Sequence, residues 1–134
     1  MPDTAKLQTI LRRILATGKG ILAADESNGT AGKRLESINV ENSEQNRRDY
    51  RNTLFTTDGF GDHISGVILF DETVDQKDKS GQTFSELIAS QGAVPGIKSD
   101  QGKDEHPQFA PQTLTKGLDG HGARLDDWMQ RSNG

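Results

Sequence analysis

The stretch GKGILAADESNGT, residues 18–30, carries the main fold signal of the chain. Its apolar run from Ile21 to Ala24 is continuous, whereas a strand with one face in solvent alternates apolar and polar residues. Continuous apolar runs are typical of strands buried in parallel sheets. The run stops at Asp25 and Glu26, and burying a carboxylate is costly unless it has a partner or a task. The stretch therefore predicts a buried parallel strand, about residues 20–25, that ends at a functional carboxylate.

Two further apolar runs stop at acids in the same way. SGVILFDE predicts a second strand that ends at Asp71, and AVPGIKSD predicts a third that ends at Asp100. Helical segments separate the runs, which favours right-handed βαβ units and a parallel sheet. In such folds ligands bind at the carboxyl ends of the strands. We therefore expect Asp25, Asp71 and Asp100 to lie on one rim, together with Lys98.

Periodicity and capping residues predict the first helices. A first helix, closed by Gly18, has one apolar face formed by Leu7, Ile10, Leu11, Ile14 and Leu15. GKRLESI, residues 32–38, predicts a short second helix. Residues 42–57 predict a third, with Asn42 as its cap and Gln45 as the capping-box partner. Tyr50, Leu54 and Phe55 are expected to face the core, and the charge run 47–51 is expected to be a solvated helix face.

The second half of the chain has one strong helix signal and one long polar segment. Thr83 and Glu86 form a capping box that opens the helix FSELIAS, which Gly92 ends. Residues 101–117 are polar, contain two prolines and predict a long loop. ARLDDWMQR, residues 123–131, predicts a final helix.

Composition excludes several classes of function. The net charge of −4 argues against nucleic-acid binding, and the lack of cysteine removes disulfides and thiolate metal sites. His63, His106 and His121 have no metal-ligand spacing. No apolar run approaches the ~18 residues of a membrane span, and the N-terminus has no apolar signal region. These features predict a soluble, cytoplasmic protein with no metal, nucleic-acid or membrane partner.

Two glycine motifs resemble nucleotide-binding signatures but fail on context. Gly18-x-Gly20-x-x-Ala23 precedes a strand, whereas the dinucleotide fingerprint follows one. In SNGTAGKR, Ser27 stands at the first glycine of a P-loop and Arg34 at the residue that holds magnesium. What remains is a donor-rich turn of the kind that binds phosphate, or an ordinary strand-to-helix loop. Its polar and glycine members are Ser27, Asn28, Gly29, Thr30, Lys33 and Arg34.

Asp25 and Lys98 are the candidate reactive groups, and each has a structural alternative. Asp25 fits an acid/base role or a salt bridge to Lys98 or Lys33. Lys98 fits an inward contact to phosphate or carboxylate, or an amine nucleophile, because a buried lysine can have a lowered pKa. The alternative is that its ammonium group extends outward to solvent.

The motifs taken together resemble the N-terminal part of class I fructose-bisphosphate aldolases. The resemblance is carried in family order by GKGILAADES, GKRLESI, ENSEQNRRDYR, GVILFDET with QK, GIKSD and GLDG, and it runs from about Lys6 to the C-terminus. It implies a partial (β/α)8 TIM barrel of three parallel strands with flanking helices, not closed. The 134 residues are then one incomplete barrel domain.

The resemblance also implies roles for individual residues. Asp25 matches the aspartate beside the Schiff-base lysine, and Lys98 matches an active-site lysine that contacts phosphate and substrate but forms no Schiff base. Ser27 matches a phosphate-binding serine, and Thr30 stands where many members have serine. Arg34 matches a substrate-binding arginine, and Arg47 is a weaker candidate of the same kind.

The family's sixth-strand Schiff-base lysine, its fourth-strand active-site lysine, its fifth-strand glutamates and its later phosphate site have no counterpart in this sequence. The resemblance therefore implies a lyase of glycolysis and gluconeogenesis that cleaves fructose bisphosphate without metal or cofactor, while the isolated chain is expected to be inactive. Sugar phosphate is the expected partner, and full-length members of the family are homo-oligomers. The alternative is a non-catalytic fragment that binds sugar phosphates or a complementary chain.

Overall fold

The computed structural model describes residues 3–132. These residues form two compact units, one that reaches Ile97 and one that begins at Lys98. The elements of the first unit are α1 Thr4–Ile14, β1 Gly20–Ala24, α2 Asn28–Glu36, α3 Glu44–Phe55, α4 Phe60–His63, β2 Ile64–Leu69, α5 Asp71–Val74, α6 Phe84–Ser90 and β3 Val94–Ile97. The elements of the second unit are β4 Lys103–Glu105, β5 Thr113–Thr115 and α7 His121–Arg131.

The first unit contains the three predicted parallel strands in the order β1-β2-β3. Ala24 pairs with Leu69, and Leu69 pairs with Ile97, so the three strands end at the same edge of the sheet. Neither β1 nor β3 has a second partner strand among the described residues. The sheet is therefore open, as the sequence predicts.

Aromatic side chains from three helices form the core beside β2. Phe55 and Phe84 are fully buried, and their rings meet edge to face with centroids 5.2 Å apart. Phe60 completes the group at 6.3 Å from Phe55. Val67 and Leu69 of β2 lie in the same cluster. Burial of such side chains from water is the dominant favourable term in folding.

The two helix caps predicted from sequence have different outcomes. Thr83 and Glu86 form the predicted capping box at the start of α6, with both reciprocal bonds present. The predicted Asn42 cap is wrong, because Ser43 caps α3 and its Oγ accepts the N–H of Asn46 at 3.2 Å. Asn42 instead fits against Gly32 of α2, where an added Cβ would lie 2.2 Å from the Asn42 Nδ2. The polar contacts of Asn42 are thus used between elements and not for capping.

Other boundaries also differ from the sequence predictions. α2 begins at Asn28 and not at Gly32, because Ser27 caps it and accepts the N–H of Thr30 at 3.3 Å. β2 ends at Leu69, and Asp71 is the first residue of the short helix α5. The predicted apolar face of α1 is present, but α1 contains no buried residue and Leu15 is 69% exposed. Periodicity predicts that face without specifying what covers it.

The second unit replaces most of the predicted loop with a hairpin. β4 and β5 are antiparallel, and Asp104 pairs with Leu114. The backbone bond from Gln101 N to Lys116 O extends this pairing at 3.0 Å. The final helix is present and starts at His121, two residues before the predicted start. In neither unit is any described helix both long and apolar enough to span a membrane.

Candidate active site

The carboxyl end of β1 leads directly into α2 and brings four candidate residues onto one short segment. Asp25 is the first residue after β1, Ser27 caps α2, and Thr30 lies in its first turn. The Ser27 and Thr30 hydroxyl oxygens are 3.1 Å apart. Arg34 follows one helical turn later. Ser27 and Thr30 therefore lie at a helix N-terminus and not in a free turn before a helix, whereas Arg34 lies in the last turn of the same helix.

The amide groups at this helix start favour an anion. The first N–H groups of a helix lack intrahelical acceptors and carry the positive end of the helix dipole. The Ser27 hydroxyl oxygen accepts a hydrogen bond from one of these amide groups, the N–H of Thr30. α2 has no acidic residue in its first turn. The segment can thus receive phosphate oxygens from amide and hydroxyl donors together.

Asp25 and Glu26 are adjacent acids with different surroundings. The described residues of the first unit provide no hydrogen-bond or ion-pair partner for the half-buried Asp25 carboxylate, so the predicted alternative of a salt bridge to Lys33 is wrong. Glu26 is 9% exposed and pairs with Arg34. Tyr50 donates to the same Glu26 oxygen at 3.3 Å. Both of these contacts use the Oε1 atom of Glu26, whereas the Asp25 carboxylate has no such contact within the first unit.

Arg34 is an exposed arginine held by two partners. Its Nη1 donates to Glu26 and, at 2.9 Å, to the hydroxyl of Tyr50. The hydrogen bond to Tyr50, followed by the charge of Glu26, raises the pKa of Arg34 above its ordinary value. The guanidinium side chain is 56% exposed, so it remains accessible to a phosphate at the surface.

Arg47 and Arg51 are the residues that sequence reasoning placed wrongly. Both lie in the charge run expected to be a solvated face, yet they are 8% and 0% exposed. Desolvation by burial lowers the pKa of Arg51 below its ordinary value, although Glu26 opposes this effect. The spacing of Arg47, Arg51 and Phe55 by four residues each is the signal that would have found them, since it puts both arginines on the buried face of α3.

Arg47 is buried and forms a part-buried ion pair with Glu72 that occupies its guanidinium group. Its Nε donates to Glu72 at 2.9 Å and its Nη2 donates to the other carboxylate oxygen at 2.5 Å. Its Nη1 donates to the Asn42 side chain at 2.7 Å. The bonds from Arg47 hold the pKa of Glu72 below its ordinary value. Arg47 must therefore leave Glu72 before it can bind a phosphate.

Lys98 begins the second unit, and within that unit its Nζ forms an ion pair with Asp100. The Lys98 side chain is 28% exposed. The hydrogen bond from Lys98 is the main reason that the pKa of Asp100 lies below its ordinary value. The expected meeting of Lys98 with Asp25 and Ser27 stays a prediction. The part of the chain that the structure describes contains no cluster of three or more side chains able to hold a metal ion.

Comparison with known proteins identifies the family. The family profile described as "Glycolytic: Fructose-bisphosphate aldolase class-I" matches residues 6–133. The chain is 52% identical over 119 residues to fructose-bisphosphate aldolase 1 of Toxoplasma gondii. The aligned region covers 89% of this chain and 33% of that relative. It is 57% identical over 113 residues to fructose-bisphosphate aldolase 6, cytosolic, of Arabidopsis thaliana. This aligned region covers 84% of this chain and 32% of that relative.

A solved structure gives the same result for the fold. Fructose-bisphosphate aldolase from Plasmodium falciparum, in a complex with TRAP and a small-molecule inhibitor, superposes with a TM-score of 0.89 and 41% identity. The match covers 95% of this chain and 37% of that one. The chain thus spans about a third of the length of the relatives it matches, and its three parallel strands correspond to a partial barrel. It belongs to the class I fructose-bisphosphate aldolase family and corresponds to an N-terminal portion of its members.

Proposed function

We propose that the chain supplies one phosphate site and the catalytic carboxylate of a class I fructose-bisphosphate aldolase. The reaction cleaves fructose bisphosphate into dihydroxyacetone phosphate and glyceraldehyde 3-phosphate. The observation that carries the proposal is the close succession of Asp25 and the Ser27-capped start of α2 at the end of β1. A carboxylate with no partner among the described residues of the first unit and the start of a helix able to bind an anion lie two residues apart. The names of the relatives support the same reaction.

In this proposal each candidate residue has one task. Ser27, Thr30 and the first amides of α2 bind the phosphate, and Arg34 adds a positive charge to it. Asp25 transfers a proton during cleavage of the carbon–carbon bond. Lys98 contacts the substrate after release from Asp100, and Arg47 reaches the phosphate only if Glu72 releases it. The 134 residues belong to one incomplete barrel domain of a cytoplasmic, glycolytic lyase.

The isolated chain is expected not to complete the reaction. Covalent amine catalysis requires a lysine of lowered pKa held against the carbonyl carbon, and the family's Schiff-base lysine has no counterpart in this sequence. Borohydride reduction in the presence of dihydroxyacetone phosphate should therefore leave no stoichiometric adduct by mass spectrometry. An adduct mapped to Lys98 would overturn both the expected inactivity and the role given to that residue.

Phosphate binding at α2 can be tested separately from catalysis. Ser27→Asp keeps a good helix cap, because aspartate is as effective a cap as serine, but it places a negative charge where the phosphate would lie. We expect Ser27→Asp to weaken binding of fructose bisphosphate at least tenfold in a calorimetric titration. Ser37→Asp, at the other end of the same helix, is the matched control. Equal affinity of the two variants would contradict the proposed phosphate site.

A second candidate function is that the chain binds a complementary chain carrying the remaining strands and helices of an aldolase barrel. The apolar face of α1 favours it, because Leu7, Leu11 and Leu15 are more than half exposed. Ile21 on β1 is also 56% exposed. Co-expression with the remaining two thirds of a relative should yield a stable complex with aldolase activity. Purification of the two chains as separate species would exclude this function.

A further inference from the structure

Arg51 is a wholly buried arginine at the point where β1 ends. It lies on α3, and none of its side chain is exposed. A buried guanidinium group is costly unless acceptors and an opposite charge surround it closely. The groups that accept hydrogen bonds from Arg51 therefore indicate the role of this buried charge.

Two backbone carbonyl groups accept those hydrogen bonds, and they lie on either side of Asp25. The Nε of Arg51 donates to the Ala24 oxygen at 3.2 Å, and its Nη2 donates to the Glu26 oxygen at 2.6 Å. Hydrogen bonds from a charged donor are roughly twice as strong as neutral ones. Because the donors belong to one planar group, they fix the two carbonyl groups relative to each other. This restrains the backbone dihedral angles of Asp25 and Glu26, which lie between the two carbonyl groups.

Glu26 provides the opposite charge. Its Oε2 lies 4.0 Å from the Arg51 Nη2, and its Oε1 accepts the hydrogen bond of Tyr50 at 3.3 Å. The arginine therefore donates hydrogen bonds to backbone carbonyl groups on both sides of Asp25, and its positive charge lies near the Glu26 carboxylate. Within the first unit it makes no hydrogen bond to the Asp25 carboxylate itself. The arrangement holds the Asp25 backbone in place and leaves its carboxylate available.

We propose that Arg51 is a positioning residue that fixes the direction of the Asp25 carboxylate through the carbonyl groups of Ala24 and Glu26. The functional value of this role rests on the proposed task of Asp25. The geometric claim does not, and it can be measured without substrate. Catalytic groups need positions accurate to about 0.5 Å, held by residues that are themselves locked in place.

The test is nuclear magnetic resonance of the ligand-free chain, with Arg51→Lys as the variant. In the native chain, three-bond couplings should show one χ1 rotamer for Asp25, and its backbone order parameter should be about 0.85, as in rigid backbone. In Arg51→Lys the couplings should average over rotamers and the order parameter should fall below about 0.6. Lysine keeps the charge but cannot reproduce the planar pair of donors.

Two controls separate positioning from general loss of stability. Arg48→Lys makes the same substitution on α3 at a side chain that binds Asp49 and the Lys77 carbonyl. Glu72→Gln weakens a different buried ion pair of α3. Both controls should leave the rotamer of Asp25 unchanged. An unchanged rotamer in folded Arg51→Lys, or the same averaging in either control, would overturn the proposal.

If Arg51→Lys does not fold, the positioning role of Arg51 can be tested by a measurement on the native chain. A coupling across the hydrogen bond from the Arg51 Nε to the Ala24 carbonyl carbon, together with an ordered Asp25, is the expected result. A mobile Asp25 or a missing coupling would refute it. Fructose bisphosphate affinity is measured independently, so failure of the proposed function is recorded separately from failure of the positioning role.

Discussion

Replacing Glu72 by glutamine should reveal what the part-buried ion pair with Arg47 contributes to the free energy of unfolding. The two side chains are 18% and 10% exposed, so solvent screens the pair only weakly. Glutamine keeps one acceptor oxygen but loses the charge and one of the paired bonds. Hydrogen bonds to charged groups contribute about 1.5–3 kcal/mol each, and removing one partner of a buried pair costs about 3–5 kcal/mol. Because glutamine retains part of the contact, we expect a loss of about 2–3 kcal/mol.

The assay is urea unfolding followed by circular dichroism at low temperature, where a weakly stable chain remains folded. Glu36→Gln is the matched control, since it removes the same charge from an exposed position on α2. A surface change of that kind is expected to stay within about 0.5 kcal/mol of the native chain. The ion pair joins α3 to α5, and a change of no more than about 0.5 kcal/mol in Glu72→Gln would show that it does not stabilise the fold.

The pH dependence supplies a second measurement on the same variant. Arg47 lowers the pKa of Glu72 below its ordinary value of 4.5. The native chain therefore has the full contribution of this carboxylate above about pH 4.5 and loses it as the pH falls through the lower, folded-state pKa. The difference in unfolding free energy between the native chain and Glu72→Gln should shrink below pH 4.5. A difference that stays constant down to pH 2 would contradict the assignment.

Three further predictions concern stability. Phe84→Ala should cost about 3–5 kcal/mol, because the ring is fully buried against Phe55, and loss of dispersed amide signals would show the unfolding; a native-like spectrum would refute it. Thr83→Ala should cost about 1 kcal/mol in urea unfolding by removing the capping box, whereas Thr53→Ala, at an exposed position in the last turn of α3, should cost less; equal costs would argue against the cap. The isolated chain should unfold below about 60 °C with residues 101–117 exchanging their amide hydrogens fastest, and a protected monomer with a higher midpoint would show a self-sufficient domain.

The strands were predictable because a parallel strand buried on both faces has a continuous run of apolar residues in the sequence. Each continuous apolar run became a strand whose ends lie within three residues of the predicted ones, and the largest difference is at β3, which ends at Ile97 and not at Asp100. The start of α2 was missed because Asn28 and Gly29 are poor helix formers and indicate a turn. Ser27 overrides that preference by capping the helix where β1 ends.

Tertiary contacts decided what the sequence pattern left open. An arginine in a charge run is usually solvated, and only the carbonyl groups at the end of β1 show why Arg51 is buried. The hairpin in residues 103–115 was missed because its short strands are exposed and polar, so no alternation marks them. Asp25 and Ser27 could be named as candidate site residues because acids and hydroxyls at strand ends carry a chemical signal that does not depend on packing.

The parallel order β1-β2-β3 also determines when each strand can pair while the polypeptide is being synthesised. Leu22 pairs with Val67, and Leu69 pairs with Ile97, so each strand waits for a partner far along the chain. Ribosomes add roughly 5–20 residues per second, and non-local pairing is intrinsically slow. The apolar run of β1 therefore leaves the ribosome seconds before β2 exists to cover it. During that interval the apolar run of β1 is exposed to chaperones. Slow translation of the codons for residues 25–64 would lengthen the time in which chaperones can bind this run.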